Sequence, residues 1–197
     1  PGQVSAYFVR SPHAHARLKK IDTSKASNMP GVIAIFTGEE FATDKLGPLI
    51  CGWMINSKDG SPMKMAPHPA LAAGKVSHVG DAYAVVIAET LGQAKDAAEL
   101  IDVDYDVLDA VADVATATQA GKPQVHDIAP NNVCYVWGHG DKAAVDKAFA
   151  GAAHVTTLEF RNNRLIPNAI EPRAAVAQYS RSEDAYTLHV SNQNPHV

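Results

Sequence analysis

The chain has 197 residues, 17 Lys+Arg against 21 Asp+Glu, a formal net charge of −4, 46% hydrophobic residues and 19% charged ones. This composition excludes a disordered tail, and its slightly acidic balance argues against an electrostatic nucleic-acid binder. No apolar run approaches the roughly 20 residues that a membrane-spanning helix needs. The length suits one domain, or one small domain and part of another. Two cysteines, Cys51 and Cys134, are too few for a disulfide scaffold or a four-thiolate metal site, and point to a reducing compartment. The chain starts at Pro1 with no basic and apolar signal segment. It stops at Asn194-Pro195-His196-Val197, just after a predicted strand and without a cap or polar tail. The expectation is a piece of a longer polypeptide.

In chain order, Val4 to Val9 and Ala14 to Ile21 read as strands, and Met29-Pro30-Gly31 as a turn. Val32 to Phe36 has the character of a buried strand. Thr37 to Asp44 suits one or two helical turns. Lys45 to Pro69 is rich in Gly, Pro and Ser and reads as a long loop, a length that usually serves a function. Ala82 to Ala88 is an apolar run of strand length. Thr90 with Gln93 three residues on is a capping-box signature. The helix it predicts carries Ala94, Ala97, Ala98 and Ile101 on one stripe, with Lys95, Asp96 and Glu99 elsewhere. Val103 to Val107 then alternates at period two, as a half-buried strand does.

From Leu108 to Asn132 the pattern loosens into Ala, Thr, Gln, Gly and Pro, which predicts a surface connector. Asp141 reads as a helix N-cap, with Val145, Ala148, Phe149 and Ala152 on one face. Three strands are predicted after it: His154 to Phe160, Arg173 to Tyr179, and Ala185 to Ser191. No internal repeat at a fixed period is visible. Taken alone, the residues predict a small α+β domain, a connector and the opening of a second domain.

Motifs that could carry chemistry are weak. His13 and His15 would share a face in a strand, a spacing that can hold zinc. No third ligand is evident and Arg17 would repel a cation, so structural or surface histidines are expected. Gly138-His139-Gly140-Asp141 leads into a helix but lacks a third glycine, and Asp141 would repel a phosphate. Gly74-Lys75 likewise lacks the phosphate-loop pattern. Glu171-Pro172-Arg173 reads as an ion-pairing strand entry, since proline biases Glu171 towards extended backbone. Arg161 and Arg164 precede it as a small basic cluster. Cys51 has no basic neighbour to activate its thiol.

A resemblance adds what these motifs do not. Phe8-Val9-Arg10-Ser11-Pro12-His13-Ala14-His15-Ala16-Arg17 is followed by Pro30 to Gly38, His68-Pro69-Ala70-Leu71-Ala72, Val79-Gly80-Asp81, Val85 to Thr90, and Asp96 to Tyr105. Later, Arg164-Leu165-Ile166-Pro167-Asn168-Ala169-Ile170-Glu171-Pro172-Arg173-Ala174 precedes Ser191-Asn192-Gln193-Asn194-Pro195-His196. This ordered series, over nearly the whole chain, resembles the N-terminal part of the large, molybdopterin-binding subunit of the xanthine oxidase and aldehyde oxidase family, and most of all its carbon monoxide dehydrogenase large chains. Ile170 stands where that family often has Met, which alters no assigned role.

The resemblance implies an α+β fold: an α/β hammerhead domain over residues 1–109, a connector over 110–135, and over 136–197 the truncated start of a molybdopterin-binding domain. It implies a molybdenum hydroxylase that oxidises a small substrate (carbon monoxide, an aldehyde or an N-heterocycle) with oxygen derived from water. The implied cofactor is molybdopterin as its cytosine dinucleotide. Electrons would pass to Fe-S clusters and FAD on an iron–sulfur small subunit and an FAD-binding medium subunit, in a homodimer of heterotrimers, in the cytoplasm. Gln193 is the one site residue carried over: its amide matches the glutamine that donates a hydrogen bond to a molybdenum oxygen ligand, a catalytic and cofactor-binding role. No residue is expected to ligate the metal. The remaining cofactor-binding segments, the carboxylate base and the copper-binding cysteine loop of the carbon monoxide branch would lie beyond Val197. The piece alone is therefore expected to hold no cofactor and to be inactive. The alternative is a non-catalytic binding or assembly module with a hammerhead fold.

Overall fold

The apolar run 82–88 becomes the central strand of a three-stranded antiparallel sheet. In this computed structural model, which describes residues 2–163, 165, 166 and 168–193, β1 (Ser5–Arg10) and β3 (Val32–Thr37) flank β5 (Ala82–Ala88) in the order β1-β5-β3. Tyr7 pairs with Val86 on one side, and Ile35 with Val86 on the other. A strand hydrogen-bonded on both edges and covered on its faces loses its alternation. Tyr83, Ala84, Val85, Val86 and Ala88 are accordingly all buried.

A second antiparallel sheet has the order β4-β2-β6, from β4 (Lys75–Val76), β2 (Ala16–Asp22) and β6 (Asp102–Val107). It is half-covered: Ala16 and Leu18 are buried while Arg17 and Lys19 are exposed. Leu18 lies opposite Tyr105. One core cluster joins Ala16, Leu18 and Val76 of this sheet to Ala72, Tyr83 and Ala84. Another joins Val86 and Ala88 to Ala26, Ala94, Ala97 and Ala98. Val9 and Ile101 pack against both clusters, so the core is continuous. Each fully buried Leu71, Val76 or Val86 contributes about 1.5–3 kcal/mol relative to an exposed side chain.

Helix α3 (Leu91–Ala98) starts where the sequence predicts. The Thr90 hydroxyl accepts from the Gln93 N–H at 3.3 Å and donates to Gln93 Oε1 at 2.8 Å. This satisfies one of the amides that a helix N-terminus leaves open. Its alanine stripe carries no bulk, so the helix lies close against β1 and β5. The stretch after β3 forms α2 (Gly38–Thr43), with Glu40 Oε2 accepting from the Thr37 N–H at 2.6 Å. Two elements escape the periodicity. They are α1 (Ser24–Ser27), a single turn, and the two-residue β4, which exists by pairing with Ala16 and Arg17.

The loop 45–69 has no helix, as predicted, but it is organised. Asn56 and Pro62 form an antiparallel bridge, and Met63 N–H donates to Ile55 O at 3.0 Å. Residues 134–136 run beside it: Lys64 N–H donates to Cys134 O at 2.9 Å and Lys58 N–H to Val136 O at 2.8 Å.

The chain divides into two units, residues 1–140 and 141–197. In the second, α4 (Lys142–Ala150) is capped by Asp141, whose Oδ1 accepts from the Ala144 N–H at 3.0 Å. An antiparallel hairpin follows, β7 (Ala175–Ser180) and β8 (Ala185–Val190). The strand expected over His154 to Phe160 does not form. That segment has no ladder partner among the described residues, and Val155, Leu158 and Phe160 are exposed. No described helix is long and apolar enough to cross a membrane.

Candidate functional site

The hairpin of the second unit brings together the two segments that end the series of matching motifs. Its turn is fixed by Asp184 in the left-handed region (φ 48°), a conformation that Asp tolerates better than most residues. The Tyr179 hydroxyl donates to Asp184 Oδ1 at 2.6 Å. That bond, with some burial, raises the Tyr179 phenol above its ordinary pKa. The rings of Tyr179 and Tyr186 meet at 4.8 Å across the strands. This register aligns the open end of the hairpin, where Ser191 N–H donates to Ala174 O at 2.9 Å. There the Ser191 hydroxyl donates to Glu171 Oε1 at 3.4 Å. Glu171 thus answers Ser191, twenty residues away, and among the described residues no ion pair joins it to Arg173.

Gln193 lies two residues beyond Ser191 and is exposed. Its carboxamide has two N–H donors and one acceptor and carries no charge. It can donate to an oxygen atom without competing as a metal ligand. Asn194, Pro195, His196, Arg164 and Pro167 lie outside the described residues, so the basic cluster of Arg161 with Arg164 is not described.

The other candidates have structural partners. Residues 11–15 do not continue a strand. The Ser11 hydroxyl accepts from the His13 N–H at 3.0 Å and turns the chain ahead of β2, so His13 and His15 do not present a paired face. The His13 ring packs edge-on to Tyr105 at 4.7 Å. His15 is buried, with Nδ1 2.9 Å from Asp109 O. A carbonyl only accepts, so Nδ1 carries the hydrogen. Its Nε2 is buried without a hydrogen-bond partner among the described residues, as is the Tyr105 hydroxyl. Burial, with Tyr105 adding, pushes the Tyr83 phenol far above its ordinary pKa. Asp141 is occupied as a cap, Trp137 and His139 stack at 6.1 Å, and the Cys51 thiol donates to Trp53 O at 3.5 Å. Among the described residues no group of three or more His, Cys, Asp or Glu is arranged to hold a metal ion.

The α/β hammerhead domain of aldehyde oxidase and xanthine dehydrogenase matches residues 1–109, and the molybdopterin cofactor-binding domain matches residues 125–197. The chain belongs to the aldehyde oxidase and xanthine dehydrogenase family. It is 34% identical over 195 residues to the nicotine 6-hydroxylase large subunit of Paenarthrobacter nicotinovorans, covering 99% of this chain and 23% of that one. It is 32% identical over 209 residues to the carbon monoxide dehydrogenase large chain of Afipia carboxidovorans, covering 100% of this chain and 24% of that one. The solved structure of quinoline 2-oxidoreductase from Pseudomonas putida 86 superposes with a TM-score of 0.84 at 31% identity, covering 98% of this chain and 23% of that one. The chain thus spans about a quarter of the relatives it matches.

The family carries a molybdenum cofactor, and the donor chemistry at the hairpin's end fits one held through its oxygen atoms. A neutral, exposed amide is present there, and the adjacent Glu171 carboxylate accepts from Ser191.

Proposed function

We propose that this chain is the first part of the large subunit of a molybdenum hydroxylase, acting on a small substrate such as carbon monoxide, an aldehyde or an N-heterocycle. The observation that carries the reading is the ordered pair of family matches, together with the Glu171–Ser191 bond that draws two matching segments to one hairpin end beside Gln193. When bound, the molybdenum cofactor supplies two-electron oxidation with an oxygen atom derived from water. We assign the cofactor as molybdopterin cytosine dinucleotide. An iron–sulfur small subunit and an FAD-binding medium subunit accept the electrons, two heterotrimers form the assembly, and the complex is cytoplasmic. Relatives named as a large subunit, a large chain and a complex subunit support this division of labour.

Within this chain, Gln193 helps hold the cofactor by donating an amide N–H to one of its oxygens. Ser191 and Glu171 act as positioning residues, fixing the strand end that carries it. A donor fixed in advance costs little reorganisation as charge develops. We divide the chain into the hammerhead domain at 1–109, a connector at 110–135 and the start of the molybdopterin-binding domain at 136–197. The first family match supports the boundary at 109, while the second begins at residue 125, inside the connector so drawn. On this reading the 197 residues alone hold no stoichiometric molybdenum and do not turn over substrate. Elemental analysis of the purified chain after expression with cofactor supply tests this, and bound stoichiometric metal would overturn it.

A further inference from the structure

Three chain segments far apart in the sequence meet around a 170 Å³ cavity in the first unit. Phe8 and Arg10 come from β1, Leu49 and His68 from the two limbs of the long loop, and His78 and Asp81 from the turn between β4 and β5. Backbone bonds fix all three. Gly80 N–H donates to Ser11 O at 2.8 Å and Ser11 N–H to Asp81 O at 2.9 Å, with Ser11 buried. Leu49 N–H donates to His68 O at 2.8 Å, and Ala72 N–H to Ala82 O at 2.7 Å. A recess formed in advance avoids the cost of ordering its walls on binding.

The charged groups of the cavity are not equally free. Asp81 Oδ2 accepts from Ser77 N–H at 2.9 Å and lies 3.6 Å from His78 Nδ1, and the Asp81 side chain is only 14% exposed. Arg10 uses one guanidinium N–H, donating to Gly80 O at 2.9 Å. A guanidinium has five N–H donors and stays charged, and among the described residues no ion pair engages Arg10. The recess thus offers a fixed cation with donors left over, one carboxylate that is already engaged, and an apolar wall from Phe8 and Leu49.

We propose that this cavity is a binding site for a small organic carboxylate, held by the Arg10 guanidinium with its carbon skeleton against Phe8 and Leu49. The planar fork of an arginine matches the two oxygens of a carboxylate, and His68 and His78 bring imidazole donors beside it. Inorganic phosphate has no carbon to place on the apolar wall, and its second charge is repelled by Asp81. The volume lies below the roughly 300–1,000 Å³ of sites for drug-sized ligands, so the ligand is no larger than a single ring or a short chain. The inference is independent of the molybdenum cofactor.

Amide NMR titrations of the 197-residue chain at neutral pH and constant ionic strength test this. The probes are acetate, benzoate, inorganic phosphate and a blocked tripeptide with a central glutamate. Benzoate should shift the amides of His68, Ala70, Gly80 and Asp81 and saturate at roughly millimolar concentration. Arg10→Met should weaken benzoate about tenfold or more, as expected when a charged hydrogen-bonding partner is lost. Asp81→Asn keeps an acceptor for Ser77 N–H but removes the opposing charge, so it should tighten benzoate. Leu49→Ala should weaken benzoate more than acetate, because it trims only the apolar wall. If Arg10→Met does not fold, the other two variants decide. No saturable shift at these amides, or benzoate affinity unchanged in the variants, would overturn the site. Phosphate binding as tightly as benzoate would overturn the carboxylate assignment. Tighter binding of the tripeptide than of benzoate would give the recess to an acidic side chain of a partner and overturn the small-ligand site.

Discussion

Two glycine-to-alanine substitutions should move stability in opposite directions, because their surroundings differ. Gly38 opens α2 and is buried; a Cβ there would lie 2.2 Å from Ala72 O, 2.5 Å from Ala72 C and 2.8 Å from Ala73 N. Relief needs a separation of more than 1 Å, since ordinary carbon contacts begin near 3.4 Å. Neither side can give easily. Thr37, just before, is paired with Ala84 of β5, and Ala72 N–H donates to Ala82 O at 2.7 Å. The strain therefore reaches the core cluster of Ala72, Tyr83 and Ala84. Overpacking of this kind costs about 2–3 kcal/mol, a sizeable share of the 5–15 kcal/mol, roughly, that holds a domain folded. Gly92, in the exposed first turn of α3, would meet only Thr90 Oγ1 at 4.0 Å. Alanine there should stabilise by about 0.5 kcal/mol through helix propensity and a less flexible unfolded chain. Urea unfolding, read from the slowest-exchanging β5 amides, gives both values, with the denaturant slope unchanged. Gly38→Ala within about 0.5 kcal/mol of wild type would refute the packing argument.

Thr90→Ala should destabilise the first unit by about 1 kcal/mol, the usual loss for an N-cap oxygen, measurable in the same urea titration; an unchanged midpoint would mean the 3.3 Å bond from Gln93 contributes nothing. Asn132→Ala removes an acceptor for Val125 N–H and donors to Ala117 O and Pro123 O, and puts alanine at φ 57°. Protection of the Val125 amide should fall by at least tenfold, equivalent to about 1.4 kcal/mol, while β5 amides keep theirs.

How far the sequence revealed the fold depended on how local each cause is. Thr90 and the alanine stripe are contained in one helix, so α3 was legible. The buried run 82–88 was legible because a strand flanked on both sides keeps a continuous apolar signature. The two residues of β4 have no pattern of their own, and pairing with β2 alone makes them a strand. The segment His154 to Phe160 has strand-like residues, but backbone pairing requires a neighbour and its sequence does not supply one. The connector's order comes from Asn132, whose side chain ties residues 117, 123 and 125 together. At the candidate site, Gln193 came from resemblance alone. The Glu171–Ser191 bond spans twenty residues, a separation no local periodicity encodes.

The account gives this chain one residue at the cofactor, Gln193, and steady-state kinetics of Gln193→Ala in the full-length complex, normalised to molybdenum content, tests that proposal most directly. A donor aimed at charge that grows in the transition state acts on turnover more than on substrate binding. Its loss costs about 1 kcal/mol if it behaves as an ordinary neutral hydrogen bond and about 3 kcal/mol in a dry site. The account predicts a fall in kcat of roughly ten- to a hundredfold, a smaller change in KM, and full metal loading. Unchanged kcat at full molybdenum occupancy would contradict it.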